Sequence, residues 1–308
     1  MTRSGPSRWL VDSSLILVAL IWGSTFVLVK QALADIPTLF FLTLRFSIAS
    51  VALAVLFRGP IGQKTNVRES VKAGLLAGFC LFSGYVLQTY GLKYTTAAKA
   101  GFLTGLYIPL VPLFSAAVYK KIPQIAELLG VGLAFAGMAL LTMQGSALGV
   151  GLGDFLVMGC AVAYAFHILV LGHFAPKVST PILTVVQILT AAALGASTFW
   201  WAEPASFHWA DIRWSKDVFL ALAVTSLLAT ALAFAVQTWA QQYSSPTRTA
   251  LIFSLEPVFA WATSYLLLGE VLSTRGAAGA VLILAGILIV ELKPLGLPRM
   301  RTRQQENT

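Results

Sequence analysis

Residues 72–91, KAGLLAGFCLFSGYVLQTYG, and residues 217–240, DVFLALAVTSLLATALAFAVQTWA, decide the fold. Each is an apolar run of about 20 residues, and an α-helix rising about 1.5 Å per residue needs that length to cross a hydrocarbon core about 30 Å thick. Each closes on the same pattern, Gln88-Thr89-Tyr90 in one and Gln237-Thr238-Trp239 in the other. Similar runs lie at about 13–32, 38–57, 99–119, 124–143, 154–173, 180–201, 247–268 and 274–292. The composition agrees, with 57% hydrophobic residues, 11% charged residues and a mean hydropathy of +0.81 over 308 residues. A soluble globular chain carries about a quarter charged residues. The pattern predicts an all-α integral membrane protein of ten transmembrane helices.

The shared closing pattern extends into an internal repeat. A displacement of 149 positions sets Gln88 on Gln237, Lys99 on Arg248, Gly130 on Gly279 and Gly137 on Gly286, while a displacement of 142 sets Asp12 on Asp154, Trp22 on Tyr164 and Arg45 on Gln187. The predicted organisation is a cytoplasmic N-terminus over 1–12, a five-helix repeat over 13–143, a linker over 144–153, a second five-helix repeat over 154–292 and a basic tail over 293–308. Five helices is an odd number, so the two copies enter the membrane from opposite sides and form an inverted repeat with a pseudo-two-fold axis in the membrane plane. Two near-equivalent packings related in this way can exchange roles, which is the requirement for moving a solute by alternating access.

Lysine and arginine orient the bundle, because positively charged connections stay in the cytoplasm. With both termini inside, the inner segments hold Arg3, Arg8, Arg58, Lys64, Arg68, Lys72, Lys120, Lys121, Lys177, Arg248, Lys293, Arg299, Arg301 and Arg303, against Lys30, Lys93, Lys99, Arg213, Lys216 and Arg275 outside. The net charge of +9 is thereby assigned to a membrane face rich in anionic lipid headgroups, and nucleic acid is excluded as a partner. The first apolar run is too long for a signal-peptide core. Trp200, Trp201, Trp209 and Trp214 flank the outer loop from Ala202 to Lys216 as an interfacial aromatic belt. Cys80 and Cys160 stand alone in apolar surroundings and read as small hydrophobes, with no metal-ligand spacing.

Four segments carry a resemblance: Ala19-Leu-Ile-Trp-Gly-Ser-Thr-Phe26; Gly101-Phe-Leu-Thr-Gly-Leu-Tyr107 with the two prolines that follow; Ser254-Leu-Glu-Pro-Val258; and Leu268-Gly-Glu270 before Gly279 and Gly286. Over nearly its whole length the chain resembles the EamA-type transporters of the drug/metabolite transporter superfamily. The resemblance implies a ten-helix inverted-repeat carrier with a cavity between its halves, typically a bacterial inner-membrane exporter of amino acids or other metabolites. One departure is Lys120-Lys-Ile-Pro123, which stands where the second repeat has Gly269-Glu270, so a role for Glu270 has no mirror image.

Polar side chains inside hydrocarbon need a reason, since a central charge costs about 2.5–3.5 kcal/mol on insertion scales. Glu256 falls about nine residues into the ninth predicted helix, immediately before Pro257, where a kink is expected. It would bind a proton or a cationic group of the solute, or else cap a helix break. Gln88 and Gln237 occupy matching repeat positions, with Tyr85 on the same surface as Gln88, and would line one cavity or hydrogen-bond between helices. Tyr164 and His167 share a face of the sixth helix, and a satisfied buried histidine is preferred there to a metal ligand. Trp22 and Trp239 would serve as cavity walls or as packing. Arg45 is read as a structural ion pair or a side chain snorkelling to the interface, with an anionic solute group as the third alternative. No cofactor, metal site, Walker-type loop or catalytic motif is found, so any energy source is a gradient or a separate subunit. The expected function is a secondary exporter of amino acids or other small metabolites in the inner membrane, with membrane lipids as surroundings. A lipid-carrier flippase of similar architecture is the alternative. Small-residue faces on the fifth and tenth helices would permit a homodimer.

Overall fold

The computed structural model describes residues 6–59, 66–95, 97–120, 123–142, 151–202, 212–268 and 273–291. The basic tail, most of the predicted linker, Trp209 and Glu270 lie outside the described residues. What is described is helical, without strands: α1 (Arg8–Ala32), α2 (Thr38–Leu56), α3 (Val67–Tyr94), α4 (Ala97–Thr104), α5 (Tyr107–Tyr119), α6 (Ile125–Thr142), α7 (Leu152–Phe174), α8 (Thr180–Ala202), α9 (Lys216–Ser226), a π-helical segment (Leu227–Leu232), α10 (Ala233–Ala240), α11 (Pro246–Phe253), α12 (Glu256–Leu268) and α13 (Thr274–Glu291). Six spans among them are long and apolar enough to cross a membrane: Thr38–Leu56, Val67–Tyr94, Ala100–Tyr119, Leu152–Phe174, Thr180–Ala202 and Lys216–Ala240. Ile125–Leu140 and Thr274–Ile289 are shorter apolar helices. The protein is a multi-pass membrane protein.

The ends differ from the apolar runs because polar first turns are invisible to hydropathy. Helix α1 starts at Arg8, where the Ser7 hydroxyl accepts the Leu10 N–H at 3.3 Å. Helix α3 starts at Val67, where the Asn66 side chain accepts the Glu69 N–H at 3.2 Å. Such caps satisfy amide groups that have no partner inside the helix.

Two expected continuous helices carry a break, although Ala100–Tyr119 still runs far enough to cross as one span. The fourth divides between α4 and α5 at Gly105-Leu106, and the ninth between α11 and α12 at Ser254-Leu255. Glu256 is therefore the first residue of α12 rather than the ninth of a kinked helix. Pro257 follows it inside the first turn, where a missing N–H costs nothing because no intrahelical acceptor awaits it.

Helix α6 packs along α13, α3 against α7 and α8, α2 against α8, and α1 against α12. Without a hydrophobic drive between helices in lipid, close backbone approach at small residues carries much of this packing. A Cβ added at Gly137 would lie under 3 Å from the Gly279 carbonyl, and one added at Gly286 would lie as close to the Gly130 carbonyl. Gly23 abuts the Glu256 carbonyl in the same way, bringing α1 onto the start of α12. The buried side chains form two large apolar clusters, one around Leu15, Ile108, Ile168 and Phe253, the other around Phe41, Phe46, Leu81 and Ile188. Trp22 and Tyr164 pack against both. Outward faces carry exposed Leu56, Phe79 and Leu266, as lipid contact requires, and Trp200, Trp201 and Trp214 are exposed near the ends of α8 and α9.

Gly137 and Gly132, both on α6, provide a matched test, because nothing lies within 4 Å of a Cβ at Gly132. Gly137→Ala must push α13 away and is expected to cost about 1–3 kcal/mol. Gly132→Ala should be neutral or gain up to about 1 kcal/mol of helix propensity. Thermal unfolding of the purified variants in detergent checks this, with a lower midpoint expected for Gly137→Ala alone.

Candidate functional site

A cavity opens where the two apolar clusters meet. The empty space in and around it, open solvent included, comes to about 830 Å³. The helical repeat explains which side chains reach it: Leu81, Tyr85, Gln88, Thr89 and Leu92 form one stripe of α3, and Tyr164, His167 and Ile168 form one stripe of α7. Trp22 and Thr25 enter from α1, Arg45 from α2, Phe234 and Gln237 from α10, and Phe253 and Glu256 from either side of the α11–α12 break. Thr104 and Tyr107 flank the α4–α5 break. Of the residues singled out in the sequence, Trp22, Tyr85, Gln88, Tyr164, His167, Gln237 and Glu256 come together here. Trp239 does not: it stacks edge-on against Tyr243, ring centroids 5.7 Å apart, and packs against the apolar cluster.

On one side of the cavity, Gln88 Nε2 donates to Thr104 Oγ1 at 3.1 Å and Gln88 Oε1 accepts from the Tyr164 hydroxyl at 3.4 Å. The Tyr164 ring meets Tyr85 edge-on at 5.7 Å. Trp22 meets Phe234 at 5.3 Å and Phe253 at 5.0 Å, and its Nε1 donates to the Ala229 carbonyl at 2.8 Å. On another side, His167 Nε2 is 3.0 Å from Gln187 Oε1, and Gln187 Nε2 donates to Thr238 Oγ1 at 2.9 Å. Gln237 Nε2 donates to Gln241 Oε1 at 3.1 Å, whose own Nε2 donates to the Ile168 carbonyl at 2.9 Å. Gln237 Oε1 is buried without a partner among the described residues. Hydrogen bonds between helices thus hold Gln88, Gln237 is held by the C-cap of its own helix, and both amides line the cavity.

Arg45 departs from the sequence reading. It neither snorkels nor pairs with an acid among the described residues: it is only 4% exposed. Its Nε donates to Thr230 Oγ1 at 2.7 Å, and its Nη2 donates to the Tyr85 hydroxyl at 3.0 Å and to the Ala229 carbonyl at 3.4 Å. Its guanidinium carbon sits 4.7 Å from the centre of the Tyr85 ring. Two of these acceptors belong to the π-helical segment, whose wider turn shifts Ala229 and Thr230 into position. Sequence reasoning missed Thr230, Thr104 and Tyr107. Tyr107 closes a motif quoted for the family resemblance, but no local signal marks a π segment. The Glu256 carboxyl accepts no hydrogen bond among the described residues.

Away from the cavity, Arg248 at the start of α11 grips Asp12 on α1, with Nε donating to Oδ1 at 2.8 Å and Nη2 to Oδ2 at 2.5 Å. Asp154, early in α7, accepts the Thr95 hydroxyl at 2.7 Å and the Gly151 N–H at 2.8 Å. Among the described residues no three His, Cys, Asp or Glu side chains gather as a metal site would need.

Comparison with known proteins adds a family and relatives. The model of the EamA-like transporter family matches residues 9–143 and again 151–292. An uncharacterized transporter of Archaeoglobus fulgidus is 36% identical over 94% of this chain and 88% of its own length. An uncharacterized transporter of Bacillus subtilis is 25% identical over 92% of this chain and 93% of its own. A probable terminal-alkyne amino-acid exporter of Streptantibioticus cattleyicolor is 26% identical over 93% of this chain and 95% of its own. A solved crystal structure, 21% identical, superposes with a TM-score of 0.75 over 93% of this chain and 98% of that one, which establishes the shared fold.

The Arg45 contacts generate a direct test of the site's integrity. Thr230→Val keeps the side-chain shape but leaves Arg45 Nε without its 2.7 Å acceptor, at an expected cost of about 1–3 kcal/mol for an unsatisfied buried donor. Thr230→Ser retains the hydroxyl and should unfold near the wild-type temperature. Thermal unfolding of both variants in detergent checks the difference.

Proposed function

The chain belongs to the EamA-like transporter family, and on that premise we propose that it is a secondary carrier exporting amino acids or other small metabolites across the cytoplasmic membrane. The observation that carries this reading is the central cavity. It gathers Trp22, Arg45, Tyr85 and Gln88 from the first half of the chain and Tyr164, His167, Gln237 and Glu256 from the second half around one apolar-walled space. Polar groups at membrane depth are expected where they face such a cavity and meet a solute. The amino-acid class and the outward direction are supported by the name of the Streptantibioticus relative.

Two inverted five-helix repeats fit the double match of the family model. They also fit the reciprocal glycine contacts, because Gly137 against Gly279 and Gly286 against Gly130 are exchanged by the 149-residue displacement, as a two-fold axis demands. The broken α4–α5 and α11–α12 pairs would then be equivalents, each placing an irregular turn beside the cavity. Alternating access would rock one half against the other, and the Asp12–Arg248 pair would tie α1 to α11 while the end of the bundle where α1 begins is closed. The distribution of lysine and arginine supports cytoplasmic termini, and Gly130 and Gly137 of α6 meet Gly286 and Gly279 of α13.

Within this scheme Glu256 is the coupling group, a carboxyl lining the cavity without a protein donor among the described residues. It would take up a proton, or an ammonium group of the solute, from the cavity. The test is uptake of a mixed pool of labelled amino acids and small metabolites into proteoliposomes, with and without a pH gradient. Saturable flux that the gradient accelerates is expected for the wild type. Glu256→Gln should transport at one rate whether or not the gradient is applied, and a variant that keeps the full gradient response would remove the proton role.

A further inference from the structure

Arg45 poses a problem that the carrier mechanism leaves unexplained. A guanidinium buried at membrane depth is costly and is ordinarily matched by a carboxylate. Here every contact is neutral: the Thr230 hydroxyl, the Tyr85 hydroxyl, the Ala229 carbonyl and the face of the Tyr85 ring. These contacts orient the guanidinium and soften its desolvation, but they leave its positive charge uncancelled. They also engage only Nε and Nη2. Nη1 has no protein partner among the described residues, on a side chain that lines the cavity.

Resting on the carrier reading, we propose that Arg45 is the specificity-determining anchor for a carboxylate on the transported solute. A carboxylate is the chemistry that fits. The guanidinium keeps Nη1 for the cavity, and a carboxylate oxygen accepts a charge-assisted hydrogen bond from it while answering the positive charge. Arg45 is the one lysine or arginine in the described lining, which matches a single negative charge; a phosphate dianion would leave excess charge in the same space. Glu256 lines that space too and would repel a second anionic group on the solute. Binding the solute thus completes the ion pair that the fold withholds. The π-helical segment serves this end, because its carbonyl and hydroxyl fix the guanidinium without neutralising it.

A purely structural cation would affect stability and leave solute choice alone, so the decisive readout is charge selectivity. Proteoliposomes holding the wild-type protein are tested with the labelled pool above, supplemented by leucine, leucinamide, 4-methylpentanoate and isoamylamine. Flux confined to carboxylate-bearing solutes is expected, with the amide of any transported acid competing about tenfold more weakly or worse, the loss expected for one charge-assisted hydrogen-bonded group. Arg45→Gln should reduce that discrimination to within about twofold, whereas Arg45→Lys should retain most of it. Should Arg45→Gln fail to fold, the wild-type competition decides alone. Wild-type flux of amides and amines at rates equal to the acids would overturn the anchor while leaving the carrier reading intact. No saturable flux of any solute would remove the carrier reading, and the anchor with it.

Discussion

No backbone N–H or C=O inside a bilayer can turn to water, so each must find its partner in the protein, and irregular backbone is tolerated only where it is buried or lines a cavity. The architecture follows from this constraint. The α4–α5 and α11–α12 breaks border the central space, and the π-helical segment holds two side chains that line it, Trp22 and Arg45. Tightened turns absorb the displaced bonds: Leu106 N–H donates to the Leu103 carbonyl at 3.2 Å, and Leu255 N–H donates to the Ile252 carbonyl at 3.1 Å. At the π-helical segment the Ala229 carbonyl instead accepts side chains, the indole of Trp22 and the guanidinium of Arg45. The two helix breaks supply lining residues of the site, and the π-helical segment orients two more.

The same economy governs packing. Lipid tails compete equally with leucine for apolar contact, so helices associate by approaching closely at small residues. Gly137 and Gly286 seal α6 against α13, and Gly23 lets the start of α12 reach α1, which sets Glu256 beside the cavity. Packing and function are joined at Trp22 and Tyr164, side chains that each touch both apolar clusters and also line the space between them. A relative movement of the clusters would be felt first at those two rings.

The charged groups sort by the same logic. Asp12 and Arg248 satisfy each other near the ends of their helices, away from the cavity, where a bidentate pair can hold two helices together. Arg45 and Glu256 lie in the cavity lining, and neither has an ionic partner among the described residues. A buried pair neutralises itself and becomes structural, whereas separated charges in one cavity remain available to whatever enters it.

Much of this was legible in the chain. Apolar runs of transmembrane length and the Gln-Thr-aromatic pattern at 88–90 and 237–239 established a membrane-spanning helical protein, because length and hydropathy are set by bilayer thickness and need no tertiary information. The cost of polar groups in hydrocarbon pointed to Glu256, Gln88, Gln237 and His167 before any packing was known. Three-residue spacing put Tyr85 with Gln88 and Tyr164 with His167, since the helical repeat alone fixes which side chains share a face. What periodicity could not supply is rotation and contact between helices. Only the tertiary structure separated Trp22, at the cavity, from Trp239, in the packing, although both stand at membrane depth in apolar helices. It broke two helices where hydropathy reads straight through, because apolar content does not report backbone geometry. It also gave Arg45, read as an ion pair or a snorkelling side chain, neutral partners among the described residues, because groups 40 and 185 residues away in the chain become neighbours only when the helices assemble.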